Sequence, residues 1–189
     1  MRNGSSAMNS ERRKFLRCPL IIAVVFSATT AGYAQDAPFG FSWGPVERIP
    51  KPWTASREAN ITTLFYDSTS PVAGVDTDQV IVEICQSEGL QQVIWVSRDL
   101  AQDELRRKFE LVHQQASARF GEPTSSSGPM TESWRHGRVS VAVSPPSDGH
   151  HRLVMAMRGE LFDKCSSEHQ AQVGHPAWLH FDNLVKRTY

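Results

Sequence analysis

Five of the chain's seven histidines crowd toward its C-terminal end: His150, His151, His169, His175 and His180. Neutral imidazole is a ligand for divalent metal ions, and a site needs three or four such groups converging in space. A helix brings two histidines onto one face when they stand four residues apart. Here the last three are six and five apart, so no single helix assembles them. Glu168, His169, His175 and His180 are the ligand candidates, with His150 and His151 able to join from a turn. Histidines more often serve as surface or helix-end residues. The expectation is therefore no cofactor, with a metal-binding protein or metal-dependent enzyme built on His169, His175 and His180 as the alternative.

Other chemistries find less support. The chain has no Gly-x-Ser-x-Gly elbow and no glycine-rich phosphate loop. Glu83 and Asp163 are carboxylates that could exchange protons. Glu83 reads first as a solvent-facing strand residue or the partner of an arginine. Asn60-Ile61-Thr62 matches an N-glycosylation sequon, which carries no meaning in a bacterial host.

The N-terminus has the form of an export signal. Basic Arg12-Arg13-Lys14 precedes the apolar run from Leu20 to Phe26, and small residues follow at Ala31-Gly32-Tyr33-Ala34. The apolar run is shorter than the roughly 20 residues a bilayer requires, so cleavage after Ala34 is expected, with no membrane anchor afterwards. A start at Met8 would give a more usual signal length. Arg12-Arg13-Lys14-Phe15-Leu16-Arg17 resembles the twin-arginine signal of bacteria, although Glu11 stands where Ser or Thr is usual. That resemblance implies export of a folded chain; the general export route is the other reading. Either way the protein is expected to be periplasmic or secreted.

Removing residues 1–34 leaves 155 residues with 15 Lys and Arg against 19 Asp and Glu, a net charge of −4. Without a basic stripe, nucleic acid is not an expected partner. Cys18 leaves with the signal. Cys85 and Cys165 then form an even pair in an oxidising compartment and are expected to be disulfide-bonded. They lie far apart in sequence, outside any Cys-x-x-Cys motif.

The elements follow from periodicity. Gln35 to about Asn60 holds four prolines and reads as an extended arm, with Phe39, Phe41 and Trp43 alternating as a candidate ligand-binding face. Strands are expected at Ile61 to Tyr66, Gln79 to Cys85 and Leu90 to Ser97, the last two forming a hairpin that turns at Gly89. Leu105, Phe109, Val112, Ala116 and Phe120 make one apolar helical stripe, with Asp99 as N-cap and Gly121 as the stop. Thr124 to Met130 reads as flexible. Strands return near Glu132, Val139 and Leu153, before a short helix between Gly159 and Val173. The expected fold is α+β: a two-layer antiparallel sheet of about five strands with one long helix packed on it, plus a short C-terminal helix. The domains are a signal at 1–34, an arm at 35–60 and one domain at 61–189.

Phe39-Gly40-Phe41-Ser42-Trp43-Gly44 resembles the Phe-Gly-x-x-Trp-Gly opening of small exported bacterial proteins of unknown function. The resemblance implies a periplasmic α+β domain and transfers no active site. The function expected on these grounds is non-catalytic: a binding or accessory protein of the cell envelope, its partner an envelope protein or a small ligand.

Overall fold

The computed structural model describes residues 36–144 and 150–177, all within one compact unit. The described residues form one eight-stranded antiparallel sheet and two α-helices, in place of the two-layer sheet of about five strands with one long and one short C-terminal helix read from the sequence; the strand count is what the structure corrects. The strands are β1 (Thr54–Glu58), β2 (Ile61–Asp67), β3 (Thr77–Cys85), β4 (Gly89–Ser97), β5 (Ser125–Gly128), β6 (Thr131–Trp134), β7 (Val139–Val143) and β8 (Leu153–Arg158). The helices are α1 (Gln102–Phe120) and α2 (Phe162–Val173). Spatial order is β1-β2-β3-β4-β8-β7-β6-β5.

The two strands that the sequence hid share a physical cause. β1 lies in the proline-rich arm and β5 in the stretch read as flexible, and every residue of both is exposed. Both sit at sheet edges. With no residue to bury, neither carries the alternation that betrays a strand.

Alternation does organise the six inner strands. Leu64, Val82, Val93, Met157 and Val139 stand in one cross-strand row. This row belongs to the main core, against which Leu105, Phe109, Val112, Ala116 and Phe120 of α1 pack. The opposite face carries Phe65, Ile81, Ile94 and Ala156 in the neighbouring row. At one end of that face, Phe162 and Cys165 of α2 pack on Ile61 and Cys85. The two helices thus lie on opposite faces of the sheet.

Cys85 and Cys165 form a disulfide with their Cα atoms 6.1 Å apart, tying α2 to the end of β3. At the β3–β4 turn, Gly89 has φ +72, and a Cβ there would lie 1.9 Å from the Gly44 carbonyl oxygen. That close approach lets the arm bridge to β4 through the Gly44–Leu90 hydrogen bonds. Asp99 does not cap α1. The N-cap is Ala101, without a side-chain bond, and the Asp99 carboxylate instead accepts from Arg152 Nε at 2.7 Å. No helix among the described residues is long and apolar enough to cross a membrane.

Candidate metal site at the open end of the second helix

α2 buries Phe162, Cys165, Ser166 and His169. Their spacing of three, four and seven residues places them on one helical face. His169 therefore projects toward the sheet one turn beyond the disulfide. The helix then stops at Gly174, in the left-handed region with φ 85 and ψ −3 and its N–H bonded to Gln170 O. That reversal returns His175 toward the same point. Ala177 N–H donates to Ser166 Oγ at 3.1 Å and pins the returning chain to the helix. A six-residue spacing that no helix could use becomes usable because the helix ends between the two residues.

The third group comes from the opposite end of the chain. Glu58 ends β1 and pairs across the ladder with Ile61, which in turn pairs with Cys85. His169 Nε2 lies 3.4 Å from one Glu58 carboxylate oxygen, and His175 Nε2 lies 3.4 Å from the other. The ligand atoms of all three side chains lie within 4.8 Å of one another. Two donors on a tetrahedral zinc ion, each about 2.05 Å from the metal, stand roughly 3.3 Å apart. The two His–Glu separations match that spacing, and 3.4 Å is long for a direct hydrogen bond.

The orientation of His169 is fixed from behind. Asn60 occupies the two-residue turn between β1 and β2, and its Nδ2 donates to Cys165 O at 3.2 Å. Its Oδ1 then faces His169 Nδ1 at 3.1 Å. An amide oxygen only accepts, so Nδ1 carries a proton, and in the neutral ring this leaves the Nε2 lone pair toward Glu58. An outer hydrogen bond of this kind is the usual partner of a metal-ligating histidine. His175 lacks that support: its Nδ1 is buried without a hydrogen-bond partner. The two rings meet edge to face, with centroids 5.4 Å apart.

The cluster borders a cavity of about 400 Å³ lined also by Ser56, Thr63, Glu83 and Pro176. Thr63, Glu83 and Gln92 are buried polar residues on three adjacent strands in one row. The Gln92 amide is fully buried, and neither of its polar atoms has a hydrogen-bond partner. The floor beside the cluster is thus polar beneath the surface, which suits bound water more than an apolar ligand.

The other sequence candidates go elsewhere. Glu168 forms an ion pair with Lys164 on its own helix, 3.7 Å apart. His151 pairs with Leu100 near the start of α1, and His150 is exposed beside it. His180 lies outside the described residues. Phe39, Phe41 and Trp43 do not form one exposed row of rings. Phe41 is buried against Tyr66, Trp43 packs on the core, and Phe39 lines a separate cavity. The cause is a turn at Pro38–Gly40, where Phe39 and Gly40 take φ of 62 and 75 and break the alternation. Sequence reasoning missed Glu58 and passed over the part Asn60 plays. The chain matches no protein-family model, no curated protein and no solved structure.

Proposed function

We propose that the protein binds one divalent metal ion of the zinc class through Glu58, His169 and His175, in an oxidising compartment outside the cytoplasm. One observation carries the reading: two imidazole Nε2 atoms stand 3.4 Å from separate oxygens of one carboxylate. Asn60, presenting the lone pair of His169, supports it. Imidazole with carboxylate suits zinc, nickel and copper better than the hard cations. Three protein ligands leave a fourth position for water or an incoming donor. An ion so held can be exchanged, which fits binding and hand-over. This takes up the metal-binding alternative read from the sequence, in place of the envelope protein or small-ligand partner of the first reading. The Cys85–Cys165 bond supports the compartment.

Isothermal titration of zinc into chelator-stripped full chain tests the reading. One ion per chain is expected. Glu58→Gln and His175→Ala, both at solvent-accessible side chains, should each weaken binding at least about 10-fold, a change of ~1.4 kcal/mol. Zinc heats that are the same for wild type and the double variant would count against it.

A further inference from the structure

On the sheet face that α1 covers lies a second cavity, of about 470 Å³, between that helix, the Pro38–Gly40 turn and the strands. Its size is that of a small-molecule site. Trp95, Val139, Met155 and Met157 line it from the sheet. The Trp95 indole N–H is engaged by Thr77 Oγ1 at 2.9 Å, so the ring offers the cavity only carbon.

Three observations converge here. Among the described residues five large apolar side chains are exposed, and three of them, Phe39, Val75 and Leu111, line this one cavity. Single exposed apolar residues are ordinary, whereas a cluster around a concavity marks a binding surface. Phe39 also holds a left-handed φ of 62, a conformation that costs a non-glycine residue about 1–2 kcal/mol. The third observation is charge. Lys108 and Arg119 lie on the lining face of α1, about three turns or roughly 16 Å apart. Lys108 is ion-paired with Asp76, which Arg98 also contacts. Arg119 has no carboxylate partner among the described residues; its guanidinium lies 5.3 Å from the Phe120 ring centroid.

We infer that this cavity binds a single-chain amphiphile with a carboxylate head, of the fatty-acid class. The chain lies along α1 over Trp95 and the two methionines, and the carboxylate meets Arg119. A guanidinium fork matches a planar carboxylate in two parallel hydrogen bonds. An apolar cavity edged by Arg119, a cation without a carboxylate partner among the described residues, suits that ligand better than a cationic amphiphile. The inference is independent of the metal site, which lies on the other face of the sheet.

Calorimetric titration of full chain with dodecanoate, below its micelle concentration, is the test, with dodecanol and dodecyltrimethylammonium as comparisons. Saturable binding of one dodecanoate per chain is expected, about 10-fold tighter than dodecanol. Arg119→Gln should abolish that preference and leave dodecanol binding unchanged. Leu111→Glu, at an exposed position that should leave the fold intact by circular dichroism, should weaken dodecanoate at least about 10-fold. Absence of saturable dodecanoate binding would overturn the inference, as would equal affinity for the cationic amphiphile or indifference to both variants. A concentration-dependent dimer that Leu111→Glu dissolves and dodecanoate does not displace would overturn it too, and assign the surface to a second copy of the chain.

Discussion

Replacing Asn60 by alanine separates a metal site built into the fold from histidines that merely meet. Asn60 is buried and links three parts of the chain. Its Nδ2 donates to Cys165 O at 3.2 Å and its Oδ1 accepts from His169 Nδ1 at 3.1 Å, while its backbone carbonyl receives Gln86 N–H at 2.8 Å. Alanine keeps the backbone bond and strands both side-chain partners. Leaving two buried groups unpaired costs about 1–3 kcal/mol each, and relaxation of α2 around a 400 Å³ cavity should reduce the sum. We expect the metal-free variant to lose about 2–3 kcal/mol in urea unfolding. Zinc affinity should fall further than stability alone explains, because His169 is then free to rotate or change tautomer. Loss of an outer hydrogen bond of this kind weakens binding about 10–100-fold, or ~1.4–2.7 kcal/mol. The affinity is read by competition with a chromophoric chelator. Asn60→Asp, which keeps an acceptor opposite Nδ1 but no donor for Cys165 O, should recover most of the lost zinc affinity and not the lost stability. An Asn60→Ala protein that is folded and binds zinc within twofold of wild type would refute the reasoning.

Other consequences are independent of the metal. Gly89→Ala places a Cβ 1.9 Å from the Gly44 carbonyl oxygen at a φ of +72, and should cost at least ~3 kcal/mol in urea unfolding. Cys85→Ala with Cys165→Ala opens a loop of 80 residues; the chain-entropy limit is about 4.5 kcal/mol, so the double variant should melt well below the oxidised wild type. His113 of α1 bonds Glu132 of β6 at 2.7 Å, and that hydrogen bond raises the His113 pKa above its ordinary value. A raised pKa in the folded state stabilises fully below the unfolded value, near 6.5, and the gain disappears as pH rises through the folded value. The stability gap between wild type and Glu132→Gln should thus be largest in mild acid, at under about 1 kcal/mol, and close toward alkaline pH.

Local pattern made much of the fold legible. The stripe from Leu105 to Phe120 packs on the core as its spacing required, and the hairpin turning at Gly89 stands where alternation put it. Both signals arise from burial. β1 and β5 have no buried residue and so no signal, which is why these two edge strands of the eight go unread while the six between them each read as strand segments. Asp99 has the composition of a helix cap, but Arg152, 53 residues away, takes its carboxylate. The site follows the same division. His169 and His175 are conspicuous as residue types. Glu58 and Asn60 join them only through strand pairing and the disulfide, across a separation of 109 residues between Asn60 and His169. No periodicity encodes a contact of that range.

Anomalous diffraction at the zinc edge, from crystals of full chain grown with one equivalent of zinc, tests the central claim most directly. The expected result is one strong peak about 2.0–2.1 Å from His169 Nε2, His175 Nε2 and a Glu58 carboxylate oxygen. A map without a peak between these three side chains, or with its strongest peak on other residues, would contradict the account.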